Sequence, residues 1–276
     1  MSEVSSSEIV SPAVCPLDCP DTCSLAVTHS DGKILKIRGS RANPLTAGRI
    51  CAKVARHYPE FTHGDNRIER PLKRVGPKGS GEFVPVEWDE AIKLVHEGLS
   101  RTIAQHGPQS VVPFNYAGPH GMLADGSMDR RFFHKLGASL MDRVPLCGGI
   151  RGLAYNSLFG GMPGMGPEQA AEAKLIVVWS NNVTVSNLHL MRVANAAKRK
   201  GAKLVVIDPK RIKIAEQADL FLPVRPGTDV VLAYALATEL ERIGAVDHAF
   251  IEKWVEGFKP FMAQAREYTA ERASEI

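Results

Sequence analysis

The chain has 276 residues, 44% hydrophobic and 23% charged, with a formal net charge of +4. That length admits two domains, or one large α/β domain with a small appendage. The basic residues are scattered rather than striped, which excludes a nucleic-acid footprint, and no apolar run reaches the ~18 residues of a membrane helix.

In chain order, residues 1–12 are serine-rich and show no hydrophobic periodicity. They have no basic n-region, apolar stretch or twin arginine, and read as a disordered leader on a cytoplasmic protein. Residues 24–28 and 33–37 alternate apolar and polar side chains about Ser30-Asp31-Gly32, a hairpin signal. The segment 13–70 is otherwise short of apolar runs. A domain this small has little core of its own and needs a metal centre as a staple.

From residue 71 the pattern changes. Residues 83–86 read as a short strand. Trp88, Ile92, Val95, Leu99 and Ile103 then fall on one helical face, with Asp89 and Glu90 in the first turn and Gly107-Pro108 as the stop. Residues 111–116 read as a strand leading into a Gly/Pro/His loop at 117–121. Strands at 175–179, 203–207 and 220–224 alternate with helices at 188–200, capped by Gly201, and at 229–242. This rhythm predicts right-handed βαβ units and a parallel sheet, so residues 71–276 read as a Rossmann-like α/β region.

Three constellations carry chemistry. Cys15, Cys19, Cys23 and Cys51 form C-x3-C-x3-C-x27-C. Four thiolates suit a [4Fe–4S] cluster; they also suit structural zinc, although zinc sites more often use two C-x2-4-C pairs. Cysteines clustered this way in a cytoplasmic chain are not a disulfide framework. The second constellation is the set of polar loops after the α/β strands: Trp179-Ser180-Asn181-Asn182, Ile207-Asp208-Pro209 and Pro226-Gly227-Thr228-Asp229. Open α/β sheets bind ligands beyond the carboxyl ends of their strands. Neither a G-x-G-x-x-G fingerprint nor a G-x4-G-K-[ST] loop is present, which disfavours NAD and ATP. The third is Cys147, flanked by Gly148, Gly149 and Gly152, which permit close approach of a bulky ligand. Taken alone, a single cysteine is most often a small buried hydrophobe.

Together these pieces resemble the molybdenum- or tungsten-containing bis(molybdopterin guanine dinucleotide) oxidoreductases of the dimethyl sulfoxide reductase family, with formate dehydrogenase-like and periplasmic nitrate reductase-like members nearest. The resemblance runs from about residue 13 to the end. It is carried by Cys15-Pro16-Leu17-Asp18-Cys19-Pro20-Asp21-Thr22-Cys23, Gly48-Arg49-Ile50-Cys51-Ala52-Lys53, Arg70-Pro71-Leu72, Val86-Glu87-Trp88-Asp89-Glu90-Ala91, Val206-Ile207-Asp208-Pro209 and Arg225-Pro226-Gly227-Thr228-Asp229. It implies a [4Fe–4S] cluster on the four N-terminal cysteines, Lys53 between cluster and pterin, and Cys147 as the protein ligand to the metal. It also implies that the three polar loops hold one guanine dinucleotide arm. Gly148 stands where formate dehydrogenases carry a histidine, which argues against formate.

The expected function is therefore two-electron redox of a small molecule, with electrons passing through the cluster to an electron-carrier protein or redox subunit. Family catalytic subunits are much longer than this chain. The sequence accordingly reads as an N-terminal portion, inactive alone and needing a chain that supplies the missing C-terminal half. A non-catalytic cluster- or cofactor-binding module and a zinc-stabilised Rossmann-like binding protein are the alternatives.

Overall fold

In the computed structural model the described residues are 7–17, 19–114, 128–141 and 148–276. The chain divides into two compact units, residues 1–168 and 169–276.

The first unit opens with a three-stranded antiparallel sheet of β1 (Ile9–Val14), β2 (Ser24–Ser30) and β3 (Lys33–Gly39). The β2–β3 hairpin forms where expected. Asp31 (φ 47°) and Gly32 (φ 75°) both adopt positive φ, the turn whose twist matches that of its strands. β1 corrects the expectation for residues 1–12: the chain is in strand from Ile9, with Ile9 opposite His29 and Val14 opposite Ser24. The edge strand Ile-Val-Ser-Pro-Ala-Val has no strict alternation of its own, and its neighbour β2 supplies the ladder. One face of the sheet buries Cys23, Leu25 and Ile37 against Val54.

After β3 the chain loops out and returns to cross itself at two glycines. A Cβ on Gly39 would sit 2.5 Å from the carbonyl carbon and oxygen of Gly48. Asn43 pins the loop between them: its Oδ1 accepts from the N–H groups of Leu45 and Thr46, and its Nδ2 donates to Ser24 Oγ. The chain then enters a π-helical turn at Lys53–His57 and helix α1 (Tyr58–His63). His63 Nε2 accepts from the N–H of Ile34, tying α1 to the hairpin.

Beyond residue 71, β4 (Leu72–Arg74) pairs antiparallel with β5 (Phe83–Pro85), and helix α2 (Trp88–His106) follows. α2 stops as expected at Gly107, which has φ 80°. Its apolar stripe is exposed: Trp88, Ile92 and Val95 are each more than 60% accessible. Residues 111–114 are irregular, which corrects the strand expected at 111–116 over its described part. Pro113 has no N–H for a ladder, and the carbonyl of Val111 accepts from Ser139 N instead of from a neighbouring strand. The expected loop at 117–121 lies outside the described residues. Helices α3 (Met128–Leu136) and α4 (Gly148–Phe159) complete the described part of this unit.

The second unit realises the expected α/β rhythm. β6 (Leu175–Trp179), β7 (Lys203–Ile207) and β8 (Leu220–Leu222) form a parallel sheet in that order. Helix α5 (Leu188–Arg199) makes the crossover, and Gly201 (φ 95°) turns the chain into β7. Val178, Val183, Leu204, Val206, Ile212, Ile214 and Ala215 form the buried core. Helices α6 (Asp229–Arg242), α7 (His248–Trp254), α8 (Phe258–Ala265) and α9 (Ala270–Glu275) follow the sheet. Tyr234 of α6 stacks on Tyr268 at 5.4 Å between ring centroids.

Two expectations follow. Gly39→Ala forces the Gly39–Gly48 crossing apart and should cost about 1–3 kcal/mol. Gly98→Ala, inside α2 with nothing within 4 Å of the new methyl, should add about 0.5–1 kcal/mol. Denaturant midpoints of the first unit should move in opposite directions.

Asp219 ties β7 to β8, accepting from the N–H of Leu204 (2.9 Å) and from Lys203 Nζ (3.0 Å). The Leu204 N–H, then the Lys203 ammonium, holds its carboxyl below the ordinary value of 3.8. Stability from Asp219 is therefore complete above about pH 3.8 and is lost as the pH falls through the lower folded-state value. Asp219→Asn should flatten the acid limb of a stability–pH curve below that pH and leave its neutral-pH slope unchanged.

Candidate cluster and cofactor site

The first unit gathers four thiols. Cys15 follows β1, Cys23 precedes β2, Cys19 lies in the loop between them, and Cys51 arrives from the far side of the glycine crossing. All four are free thiols. Cys23 is buried in the small core, and Cys15 and Cys51 pack against it. The Cys15 N–H donates to the Cys23 carbonyl at 2.9 Å, carrying the β1–β2 ladder one step into the site. The Cys51 carbonyl accepts from Ala55 N, so the turn that follows is anchored on Cys51 itself.

The electrostatics show that these sulfurs are neighbours. Burial, then Asp21, then Cys15, Cys19 and Cys51, push the Cys23 thiol up to about 12. Burial, Cys19 and Cys51 push Cys15 up, while the backbone at Leu17 and the Lys53 ammonium pull it down. Thiols that resist ionising together are stable as thiolates only beside cationic charge, which is what a metal centre provides. Among the described residues, no group of His, Cys, Asp or Glu side chains is arranged to hold a single metal ion.

Two residues of the nest escaped the sequence reading. Asp21 is 5% exposed and acts directly on Cys23. Tyr58 packs on the same core, and burial together with Cys15 and Cys51 raises its phenol. Asp21 lay inside the cysteine motif, so its position was the available signal. Tyr58 had none, because only the fold of the turn after Cys51 brings it in. Cys147 lies outside the described residues.

The second unit brings its loops together at the carboxyl ends of the strands. At the end of β6, Trp179 Nε1 donates to Asp229 Oδ1 at 2.6 Å, joining the first loop to the start of α6. Ser180 has φ 51°, and its N–H donates to the carbonyl of Ile207 at 2.8 Å. The Asn181 carbonyl accepts from Val183 N, and Asn182 Oδ1 accepts from Thr184 Oγ1 at 2.7 Å. Asp208, almost buried, uses Oδ1 to accept from Lys210 N, and Pro209 is exposed. The Ile207 side chain is fully buried, so only its main chain faces the loops. Pro226 and Gly227 are exposed, and the space where a Gly227 Cβ would lie is open for 4 Å. Thr228 turns inward, donating Oγ1 to the Arg225 carbonyl.

The Trp179–Asp229 bond is a charge-assisted tie across 50 residues of sequence. Trp179→Phe keeps a ring and removes the donor. It should lower the stability of the second unit by about 1–2 kcal/mol in urea unfolding, more than Trp254→Phe, whose ring is 67% exposed.

The molybdopterin oxidoreductase Fe4S4 domain model matches residues 8–62, which hold the four-thiol nest. The molybdopterin oxidoreductase model matches residues 67–273, which include β6–β8 and their loops. A probable oxidoreductase of Bacillus subtilis, YoaE, is 36% identical over 96% of this chain and 38% of its own length. Acetylene hydratase of Syntrophotalea acetylenica is 30% identical over 94% of this chain and 35% of its own length. The solved acetylene hydratase from Pelobacter acetylenicus superposes with a TM-score of 0.76 at 27% identity, covering 96% of this chain and 36% of that one. The chain thus spans little more than a third of the length of these relatives. The Fe4S4 match sets the zinc alternative aside. With the two models matched in order along almost its whole length, the chain belongs to the molybdopterin oxidoreductases, whose cofactors are a [4Fe–4S] cluster and a bis-molybdopterin guanine dinucleotide with molybdenum or tungsten.

Proposed function

We propose that this chain is the cluster-holding and dinucleotide-holding part of an enzyme that carries out two-electron redox of a small molecule. The observation that carries the reading is the nest of four free thiols inside the stretch that matches the Fe4S4 domain. Cys15, Cys19, Cys23 and Cys51 would ligate the cluster. Lys53, whose ammonium already favours the Cys15 thiolate, would offset part of the charge of four thiolates. Cys147 would ligate the molybdenum or tungsten. The bound metal–pterin group supplies the redox chemistry, and the protein supplies placement and electrostatic tuning.

In the second unit, Asn181, Asn182, Asp208 and the 226–229 turn would line one guanine dinucleotide arm, with Trp179, Ser180 and Ile207 shaping the floor. Asp229 Oδ1 is engaged by the indole, so a guanine N–H edge would meet Oδ2. Residues 13–70 would form the cluster domain and 71–276 the molybdopterin-binding region. The family matches end at 62 and start at 67, a few residues before that border. Electrons would leave through the cluster to an electron-carrier protein or redox subunit in the cytoplasm. The relatives bear names as different as hydratase, thiosulfate reductase and formate dehydrogenase, so the substrate is not carried over from any of them.

A second reading, a module that acts only with a further polypeptide portion, is favoured by the coverage of the relatives and by exposed Leu175 and Val177 on the edge strand β6. The 276-residue chain, expressed with cofactor-making machinery and assayed alone, should then show no turnover.

The cluster assignment is tested by anaerobic purification. About four irons per chain and a reducible paramagnetic signal are expected. Cys19→Ser should lose both and loosen the first unit, because metal binding and folding are coupled. Folded wild-type chain that takes up zinc and no iron would overturn the assignment.

A further inference from the structure

Cys15 and Cys23 stand in a relation the other thiols lack. The β1–β2 register pairs Val14 with Ser24, and the next step places Cys15 opposite Cys23, with the Cys15 N–H bonded to the Cys23 carbonyl. A hydrogen-bonded antiparallel pair holds its Cα atoms about 5.5 Å apart and projects both side chains to the same face. Disulfides span Cα separations of roughly 4.4–6.8 Å. The shared face is the core side, since Cys23 is buried in the cluster of Leu25, Ile37 and Val54 and Cys15 packs against that cluster. Cys19 does not pack on it. Cys51 does, but it comes from a separate segment with no ladder to fix its spacing.

We propose that, when the cluster is absent, Cys15 and Cys23 close into a reversible cross-strand disulfide that stores the empty site in a form unable to load iron. The disulfide follows from the strand register; its consequence for loading rests on the cluster reading above. A peroxide is the oxidant. Cys15, the more exposed of the two, attacks the O–O bond and becomes a sulfenic acid, releasing one water. The Cys23 sulfur then displaces the hydroxyl from Cys15 as a second water, forming the S–S bond. Two thiols and one peroxide give one disulfide and two waters, with two electrons passing from sulfur to oxygen. The order suits the geometry: Cys23, buried in the small core, is the less accessible to peroxide and acts as the resolving thiol. A dithiol reductant restores both thiols.

The test uses the whole 276-residue chain, stripped of iron and exposed to a small excess of hydrogen peroxide. Peptide mapping without reduction should find Cys15 linked to Cys23. Subsequent anaerobic loading with iron and sulfide should fall by about tenfold relative to untreated chain, since two ligands are gone, and should recover after dithiothreitol. Cys15→Ser and Cys23→Ser should abolish the linked peptide. Cys19→Ser should retain it, which keeps the test decisive if either of the first two folds poorly. A dominant Cys15–Cys19, Cys19–Cys51 or Cys15–Cys51 linkage would overturn the inference, as would sulfinic acid at Cys15 with no linkage. A Cys15–Cys23 linkage in a chain that loads no iron even when fully reduced would keep the disulfide and remove the cluster assignment.

Discussion

Four thiols share one small nest in which burial raises the cost of charge on Cys15 and Cys23, and the architecture of the N-terminal segment is organised around that constraint. The apolar core beneath them is slight: among the described residues Leu25, Ile37 and Val54 are its fully apolar buried members. The sheet, the returning loop and the π-helical turn bring sulfur together from three directions, and burial then raises the cost of charge there. Such a nest is incomplete by design. The [4Fe–4S] cluster of the family returns binding energy to such a fold, because metal binding and folding are coupled.

The second unit meets a different demand. A parallel sheet has helices to cover its faces, and its ligands belong at one end. Here the core of Val178, Leu204 and Val206 sets the strand spacing, and each strand ends in a loop whose polar groups are largely engaged within the protein. Ser180 N–H closes on Ile207, Asp208 caps its own turn, and Trp179 reaches Asp229. Such bonds fix the loops before any ligand arrives, which lowers the ordering cost of binding. A positive φ at Ser180, rare for a side-chain-bearing residue, is held by the same contacts.

Much of this was legible in the residues, for identifiable reasons. The strands expected at 175–179 and 203–207 formed as read and the one expected at 220–224 ends at Leu222, because parallel strands are dense apolar runs. The Asp31-Gly32 turn was legible because few residues tolerate two successive positive φ values. β1 was not legible, since an edge strand such as Ile9–Val14 draws its pairing from a neighbour rather than from its own pattern. Nor was the irregular stretch at 111–114 legible: its apolar run looked like a strand, but among the described residues no strand pairs with it and Pro113 gives it no donor. The cysteine motif located the nest, whereas Tyr58 and the Trp179–Asp229 bond depend on tertiary proximity that no local pattern encodes.

The meeting of Gly39 with Gly48 bears on how this sequence can vary. Backbone touches backbone there, so the excursion at 40–47 hangs from a closed neck. What lies beyond the neck does not set where Cys51 falls. The interval between the third and fourth cysteines is therefore no ruler of the site, and insertions at the tip of that excursion lengthen the motif without moving a sulfur. A search for such nests by fixed cysteine spacing would overlook relatives whose excursion differs in length.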